Sequence, residues 1–371
     1  MKVFKRLLNL FLLVLFIILG AISAQAAEKF TYNGPTITLR YAHFAPATHR
    51  MSAAVSEPWM KMVEEESNGK VRIKSYPGGT LVGAKDGFKA TIAGIVDFVP
   101  AYTMYQAGSF QLTHVLDLPF AFPSSAVACK VAEELYPKYF KKEYEKMGVY
   151  LANYNANGAY NLFTKKPVST LEALKGMKIR ATGGTSSKIM KALGAVPVNV
   201  TANEAYEAFQ RGMVDGVIFY DTGAVSYRVH ELAKYETELK LSTPANSWAF
   251  NRKTFDNLPP EVKRFMYNMM RRLSQMYGTQ YDYQDALVRK QDILAKGIEV
   301  IKLPPKEMAK WKAAVESLWE EFIKENEAKG LPARELVKDL RARAQKYSTW
   351  TTDQLMKEVI ENPVHGIIDG M

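Results

Sequence analysis

The chain has 371 residues, 47% of them hydrophobic and 23% charged, which excludes a disordered or fibrous protein and allows a core large enough to need no stapling. Its formal charge is +11, yet Lys and Arg alternate with Glu, as in KEYEKMG and RKQDILAKG, so the balance suits a small anionic partner and no nucleic acid is expected. A single cysteine, Cys129, excludes an intramolecular disulfide and a lipid-bearing cysteine near the N-terminus.

Taken in order, the chain starts with Lys2, Lys5 and Arg6 before an apolar run from Leu7 to Leu19, followed by Ala24-Gln25-Ala26 as an A-x-A cleavage site. This reads as a Sec-type signal peptide over residues 1–26, so the mature chain is expected to be exported. The run is shorter than the roughly 20 residues of a membrane span; an uncleaved anchor is the alternative. Three of the eleven net charges lie in this segment, leaving +8 on a mature chain that starts near Ala27.

A strand is expected over residues 36–42, with His43-Phe44-Ala45-Pro46 as its exit loop. A helix over 51–66 stops at Asn68-Gly69, a strand covers 70–76, and Pro77-Gly78-Gly79 turns the chain. A helix around 85–93, a stop at Gly94 and a strand over 95–100 that opens on Tyr102 complete a βαβαβ unit. Residues 124–147 read as helix and 149–156 as a strand leading to Asn157-Gly158-Ala159-Tyr160.

The second half repeats the scheme. A helix over 202–211 stops at Gly212 and passes into a strand over 213–219, and the two joints read GIVDFV and GMVDGV. A glycine helix stop followed by an apolar strand bearing an Asp, recurring at matching points, implies two lobes of similar topology with a cleft between them. Residues 242–251 are extended, and Pro259-Pro260 starts a helix expected to run unbroken to Lys296 and to span both lobes. A short strand over 299–303 and amphipathic helix to about Tyr347 close the chain. The fold class is α/β, with residues 27–152 and 244–275 expected to form one lobe and 153–243 and 276–371 the other, the boundaries being approximate.

The strand over 177–181 carries Arg180 near its carboxyl end, and Gly183-Gly184 breaks it, with Thr185 or Ser186 able to cap a helix over 187–193. Open α/β sheets bind ligands at that end, and both a guanidinium and a helix N-terminus favour an anion. The anion can be a carboxylate in the cleft or a phosphate at the glycine turn. Five scattered histidines, no H-E-x-x-H, no G-x-S-x-G and no Walker A loop leave neither a metal site nor a catalytic set, and no cofactor is expected. An exported two-lobed protein of this kind reads as a binder, not an enzyme.

The order of motifs resembles the solute-binding proteins of TRAP transporters, the DctP family. The resemblance is carried by TLRYAHFAPATH at 38–49, SNGKVRIKSYPGGTLVG at 67–83, LPFAF at 118–122, KKPVSTLEALKGMKIRA at 165–181 and AFQRGMVDGV at 208–217. It implies a periplasmic-binding-protein-like fold of two α/β lobes braced by a long helix, in a periplasmic protein that closes on an organic acid and delivers it to the small and large membrane subunits of a permease. It also places the family's carboxylate-binding arginine at Arg180. Two departures bear on the ligand. Sialic-acid and C4-dicarboxylate-like members often carry another arginine where this chain has Tyr160, and commonly an Asn where it reads Val217-Ile218-Phe219-Tyr220. A monocarboxylate with an apolar or aromatic body is therefore expected.

Beside Arg180, the ligand-binding candidates are the aromatics at strand exits and nearby loops, Phe44, Tyr102, Tyr160, Phe219, Tyr220 and Trp248, together with His43, Asn157 and Asp221. Each aromatic alone can equally be core, His43 can equally be loop packing, and Asn155, Asn157 and Asp221 can equally be turn formers. A monomer is expected. The competing readings are a ligand-binding partner of a membrane sensor and an exported enzyme acting on an organic acid.

Overall fold

Residues 30–106 and 108–371 are described by the structure, a computed structural model; the signal peptide expected over 1–26 lies outside them. β1 (Ile37–Ala42) and β2 (Val71–Tyr76) pair in parallel through α1 (Glu57–Glu66), which buries Trp59 and Val63. A second helix, α2 (Gly87–Ile92), leads into β3 (Phe98–Pro100), which pairs with β1. The strand begins three residues later than expected because Asp97 serves as a clamp at its start. Its Oδ2 accepts from the Arg40 N–H at 2.7 Å, and its own N–H donates to the Arg40 carbonyl at 3.0 Å.

α3 (Ser125–Leu135) is capped by Ser124, whose Oγ accepts from the Val127 N–H at 3.3 Å, and β4 (Val149–Ala156) returns to the sheet. The chain then crosses over. β5 (Asn161–Thr164), β6 (Lys178–Ala181), α4 (Gly184–Ala192), β7 (Val196–Asn199), α5 (Ala205–Gln210), β8 (Gly216–Phe219), α6 (Asp221–Ser226) and β9 (Tyr235–Glu238) build a second lobe. β10 (Ala245–Asn251) crosses back, α7 (Pro260–Val288) follows, and β11 (Glu299–Lys302) completes the second sheet.

The sheets run β2-β1-β3-β10-β4 and β7-β6-β8-β5-β9-β11. Each has one reversed strand in the fourth place, β10 or β5, and in each case it is the first strand to enter after a crossing. The recurring joints explain the match. Gly94 and Gly212 take φ of 69° and 71°, values that favour glycine, and Asp215 repeats the Asp97 clamp, with Oδ2 accepting from the Lys178 N–H at 2.8 Å. The doubly lobed α/β architecture is thus as the repeat implied.

α7 braces the lobes through two carboxylates about one turn apart. Asp282 accepts from the N–H groups of Ser125 and Ala126 at the start of α3 (2.8 and 3.0 Å), and Asp285 accepts from Thr222 N–H at the start of α6 (2.8 Å). Each satisfies orphan donors of a helix N-terminus, one in each lobe. The expected unbroken helix to Lys296 is instead α-helical only to Val288. It then widens into a π-turn at Arg289–Ile293, where Arg289 turns its guanidinium toward Asp221 and Glu236.

Three further helices follow, α8 (Pro305–Glu327), α9 (Ala333–Tyr347) and α10 (Thr352–Glu361), the last closed by a capping box of Thr351 and Gln354. The expected division gave all of 276–371 to the second lobe. α9 and α10 pack on α3 of the first, with Tyr347 Oη donating to Glu134 at 2.6 Å and Tyr139 Oη donating to Asp339 at 2.7 Å. We therefore assign these two helices to the first lobe.

Candidate functional site

Arg180 sits one residue from the end of β6, flanked by Val198 of β7 and Val217 of β8. It is 2% exposed. Its Nε donates to the Val200 carbonyl (2.9 Å), Nη1 to the Ile218 carbonyl (3.2 Å), and the guanidinium lies 4.8 Å from the centre of the Phe219 ring. No acidic side chain forms an ion pair with it among the described residues. Glu204, whose carboxyl is held below its usual range chiefly by Thr201, is solvent-exposed and already accepts from Thr201 N–H (3.0 Å) and Oγ1 (2.6 Å).

Beyond β6, Gly183 takes φ 99°, a conformation that disfavours any side chain, and α4 begins at once at Gly184. The helix starts three residues earlier than expected, with Gly183 rather than Thr185 or Ser186 at its N-cap. Ser186 Oγ instead accepts from the Thr182 N–H at 3.4 Å.

The cavity in front of Arg180 draws walls from both lobes. From the first come His43, Phe44 and His49 after β1, Tyr102, Met104 and Tyr105 after β3, and Asn157 and Tyr160 at the crossing; from the second come Arg180, Thr182, Ala202, Phe219, Tyr220 and Tyr227, with Tyr281 of α7 beneath. The space between these walls amounts to about 370 Å³, part of it open to solvent. The lobes are closed over it. Asn203 Nδ2 donates to the Phe44 carbonyl at 3.1 Å, Arg50 pairs with Asp292 at 2.6 Å, and the rings of His49 and Tyr227 lie 5.7 Å apart.

Hydrogen bonds behind the wall fix what it offers. Trp248 Nε1 donates to Asn155 Oδ1 (3.0 Å), which sets that amide so that Nδ2 donates to Tyr102 Oη (3.1 Å). Tyr102 accepts there, so its own proton is free to point into the cavity. His43 and His49 each accept a backbone N–H on Nδ1, from Ala45 (2.8 Å) and Met51 (3.2 Å), which assigns the proton to Nε2 in both. Burial pushes His49 down to about 4, and burial together with His49 pushes His43 down. Burial raises Tyr102 and Tyr160, so both stay protonated. The wall is neutral apart from Arg180, and it is rich in donors.

A histidine held below its unfolded value of about 6.5 adds to stability above that pH and loses the contribution as pH falls. For His49 the window runs from about 6.5 down to about 4, with a loss of about 1.4 kcal/mol per pH unit. The thermal midpoint of the wild type should therefore fall relative to that of His49→Phe between pH 7 and 5. A gap that does not move with pH contradicts this assignment.

Eight of the ten expected residues line this one cavity: Arg180, Tyr160, Phe219, Tyr220, Tyr102, His43, Phe44 and Asn157. Trp248 and Asp221 do not. Trp248 is buried in β10, stacked on Tyr41 at 5.0 Å, one layer behind the wall with Asn155. Asp221 starts α6 and is drawn to the back of the second lobe, where Oδ2 accepts from Arg289 Nε (2.8 Å) and Oδ1 from Asn161 Nδ2 (3.0 Å). Burial raises it against the pull of Arg289. His49, Tyr105, Thr182, Tyr227 and Tyr281 escaped the sequence reading. Tyr105 and Thr182 follow strand exits and carried a signal; Tyr227 and Tyr281 reach the cavity only through helix packing.

The family description "Bacterial extracellular solute-binding protein, family 7", DctP, matches residues 41–326 of the chain. The chain belongs to the DctP family. Among its DctP relatives, a TRAP periplasmic solute-binding protein of Desulfovibrio salexigens in an open complex is 30% identical, with a TM-score of 0.73, over 85% of this chain and 98% of that one. A second, from Bordetella bronchiseptica with bound (R)- and (S)-mandelate, is 26% identical with a TM-score of 0.77 over 84% and 99%. The C4-dicarboxylate-binding periplasmic protein DctP of Rhodobacter capsulatus is 24% identical over 82% of this chain and 91% of its own. As a DctP-family protein the chain is a solute-binding protein of the TRAP type and not an enzyme, and among the described residues no helix is long and apolar enough to cross a membrane.

Proposed function

We propose that this protein captures a monocarboxylate with an aromatic body in the periplasm, closes its two lobes over it, and delivers it to the small and large membrane subunits of a TRAP permease. Arg180 binds the carboxylate. The observation that carries this reading is a guanidinium buried to 2% exposure at the cavity wall without a carboxylate partner among the described residues. A buried charge requires compensation, and an incoming carboxylate supplies it through charge-assisted hydrogen bonds. The stacked rings of Tyr160 and Tyr220, 5.5 Å apart, with Phe219 and Phe44, favour a flat body in that space. The mandelate complex of the Bordetella relative is consistent with that choice.

Closure is a population shift driven by contacts made only in the closed form, here Asn203 to Phe44 and Arg50 to Asp292. The protein acts as a monomer, each copy supplying both walls. A thermal-shift screen of aromatic and aliphatic acids tests the ligand class. At 100 times its dissociation constant a true ligand adds about 2.7 kcal/mol of stability, and a screen in which only dicarboxylates or sugars raise the midpoint would overturn the choice. Trp248 and Asn155 act as positioning residues. Trp248→Phe keeps the stack but loses the N–H that orients Asn155, and affinity should fall about tenfold, the worth of one ordered hydrogen bond. Unchanged calorimetric affinity in that variant rejects the role.

A further inference from the structure

Asn157 stands where the chain crosses from β4 to β5, and its backbone is tied on both sides. Its N–H donates to the Pro244 carbonyl (3.2 Å) and its carbonyl accepts from Ser125 Oγ (2.9 Å). The next residue leaves no slack, since a Cβ on Gly158 would lie 1.6 Å from Asp285 Oδ2. The side chain therefore projects from a fixed root into the cavity wall, 3% exposed.

One half of its amide is engaged and the other is not. Nδ2 donates to Tyr160 Oη at 3.0 Å, whereas Oδ1 is buried with no hydrogen-bond partner among the described residues. Buried acceptors are nearly always paired, so an orphan on the wall of a binding cavity marks a position that a ligand donor fills. Arg180, Tyr102, His43 and His49 all present donors to the same space. A carboxylate only accepts and cannot satisfy Oδ1. A ligand that does so carries a separate O–H or N–H. An ammonium is disfavoured by the unpaired charge of Arg180, so the donor is a neutral group, and a hydroxyl is the smallest that fits beside the carboxylate.

The position of that hydroxyl follows from Tyr160. Its ring centre lies 6.5 Å from that of Phe219, the ring over which the Arg180 guanidinium sits at 4.8 Å, so phenol and guanidinium flank the same part of the cavity. Asn157 is one hydrogen bond further out. A substituent on the carbon that bears the carboxylate reaches it.

We infer that the ligand is an aromatic 2-hydroxy acid and that Asn157 is its specificity-determining residue, with the ligand hydroxyl donating to Oδ1. The inference rests on the reading of Arg180 as the carboxylate anchor. A 2-oxo acid sets acceptor against acceptor, and an acid without the oxygen leaves Oδ1 unpaired in a closed site. Both are rejected on the same ground.

Calorimetry on the mature protein with mandelate, phenylglyoxylate and phenylacetate tests this. Mandelate should bind at least about tenfold tighter than either analogue, and Asn157→Leu should bring the ratios to within about threefold of one. Tyr160→Phe, which releases the amide to turn over, should lower the ratios too, and it keeps the test alive if the leucine variant fails to fold. Phenylglyoxylate or phenylacetate binding as tightly as mandelate to the wild type overturns the inference and leaves the carboxylate reading standing. Ratios unchanged in both variants overturn the role of Asn157. No binding of any of the three removes the aromatic-acid reading together with this one.

Discussion

Arg180→Lys should fold, keep its closed-lobe contacts available, and lose affinity for its ligand by about 2–5 kcal/mol, roughly 30-fold to several thousand-fold. The reason is geometric. The guanidinium spends Nε on the Val200 carbonyl and Nη1 on the Ile218 carbonyl, and the plane these bonds fix lies over Phe219 at 4.8 Å. The remaining N–H groups are thereby aimed before any ligand arrives, and a planar fork presents two donors to a carboxylate at no further ordering cost. A lysine ammonium is a point charge on a flexible stem. It cannot hold both carbonyls and a carboxylate in one geometry, so the change also lowers apo stability by about 1–3 kcal/mol, the worth of two backbone-directed bonds. Calorimetry and denaturant melts separate the two losses. Wild-type affinity in a folded Arg180→Lys protein contradicts the role given to the fork.

Arg289→Met should destabilise the protein by about 3–5 kcal/mol near neutral pH, with a smaller deficit in acid. Arg289 is the cation facing Asp221, Glu236 and Glu238 at the back of the second lobe, with Nε 2.8 Å from Asp221. Glu236 is fully buried, with Oε2 lacking a partner among the described residues, and burial together with Asp221 pushes it up to about 8. A carboxyl whose folded value lies above its unfolded value of about 4.3 stabilises the fold in acid, and that contribution is lost as pH rises through the folded value. Removing the guanidinium raises the folded value further. The part of the gap due to Glu236 therefore opens above about pH 8, where the wild-type carboxyl ionises and the variant's does not, so urea melts at pH 9 and pH 5 should show a larger gap between variant and wild type at the higher pH. A gap of equal size at both pH values contradicts the assignment of charge in this cluster.

These two arginines show where sequence reading works and where it stops. Arg180 was legible because its cause is local: an apolar run, a basic residue near its carboxyl end and a glycine break place a cation at the end of the sheet where ligands bind. The same logic found Tyr102, Tyr160 and Phe219 at strand exits. The paired GIVDFV and GMVDGV joints were legible because each Asp clamps the neighbouring strand through its own backbone neighbours, Arg40 in one lobe and Lys178 in the other. Arg289 carried no such signal, for its partners Asp221 and Glu236 are 68 and 53 residues away.

Asp221 illustrates the same limit from the other side. Its place after a strand suggested the cleft, but it begins α6 and the capture by Arg289 turns it to the rear. Trp248 lies on β10, whose pairing with both β3 and β4 puts the indole inside the first lobe, where it acts through Asn155. VPVN in β7 contains a proline and YETE in β9 is charged, so neither short strand has the apolar alternation of its neighbours. Pro197 is tolerated since β7 is an edge strand, and Glu236 is tolerated because Arg289 meets it. Tyr281 enters the cavity from the brace helix, a placement that depends on how the two lobes are set on α7.

Arg180 is proposed to hold a ligand carboxylate between closed lobes. A crystal structure of the mature protein with mandelate tests it directly. Both carboxylate oxygens should lie at about 2.7–2.9 Å from the free N–H groups of Arg180, with Asn203 still bonded to Phe44 across the cleft. A carboxylate seated elsewhere in the cavity, with Arg180 bonded only to Val200 and Ile218, would contradict it.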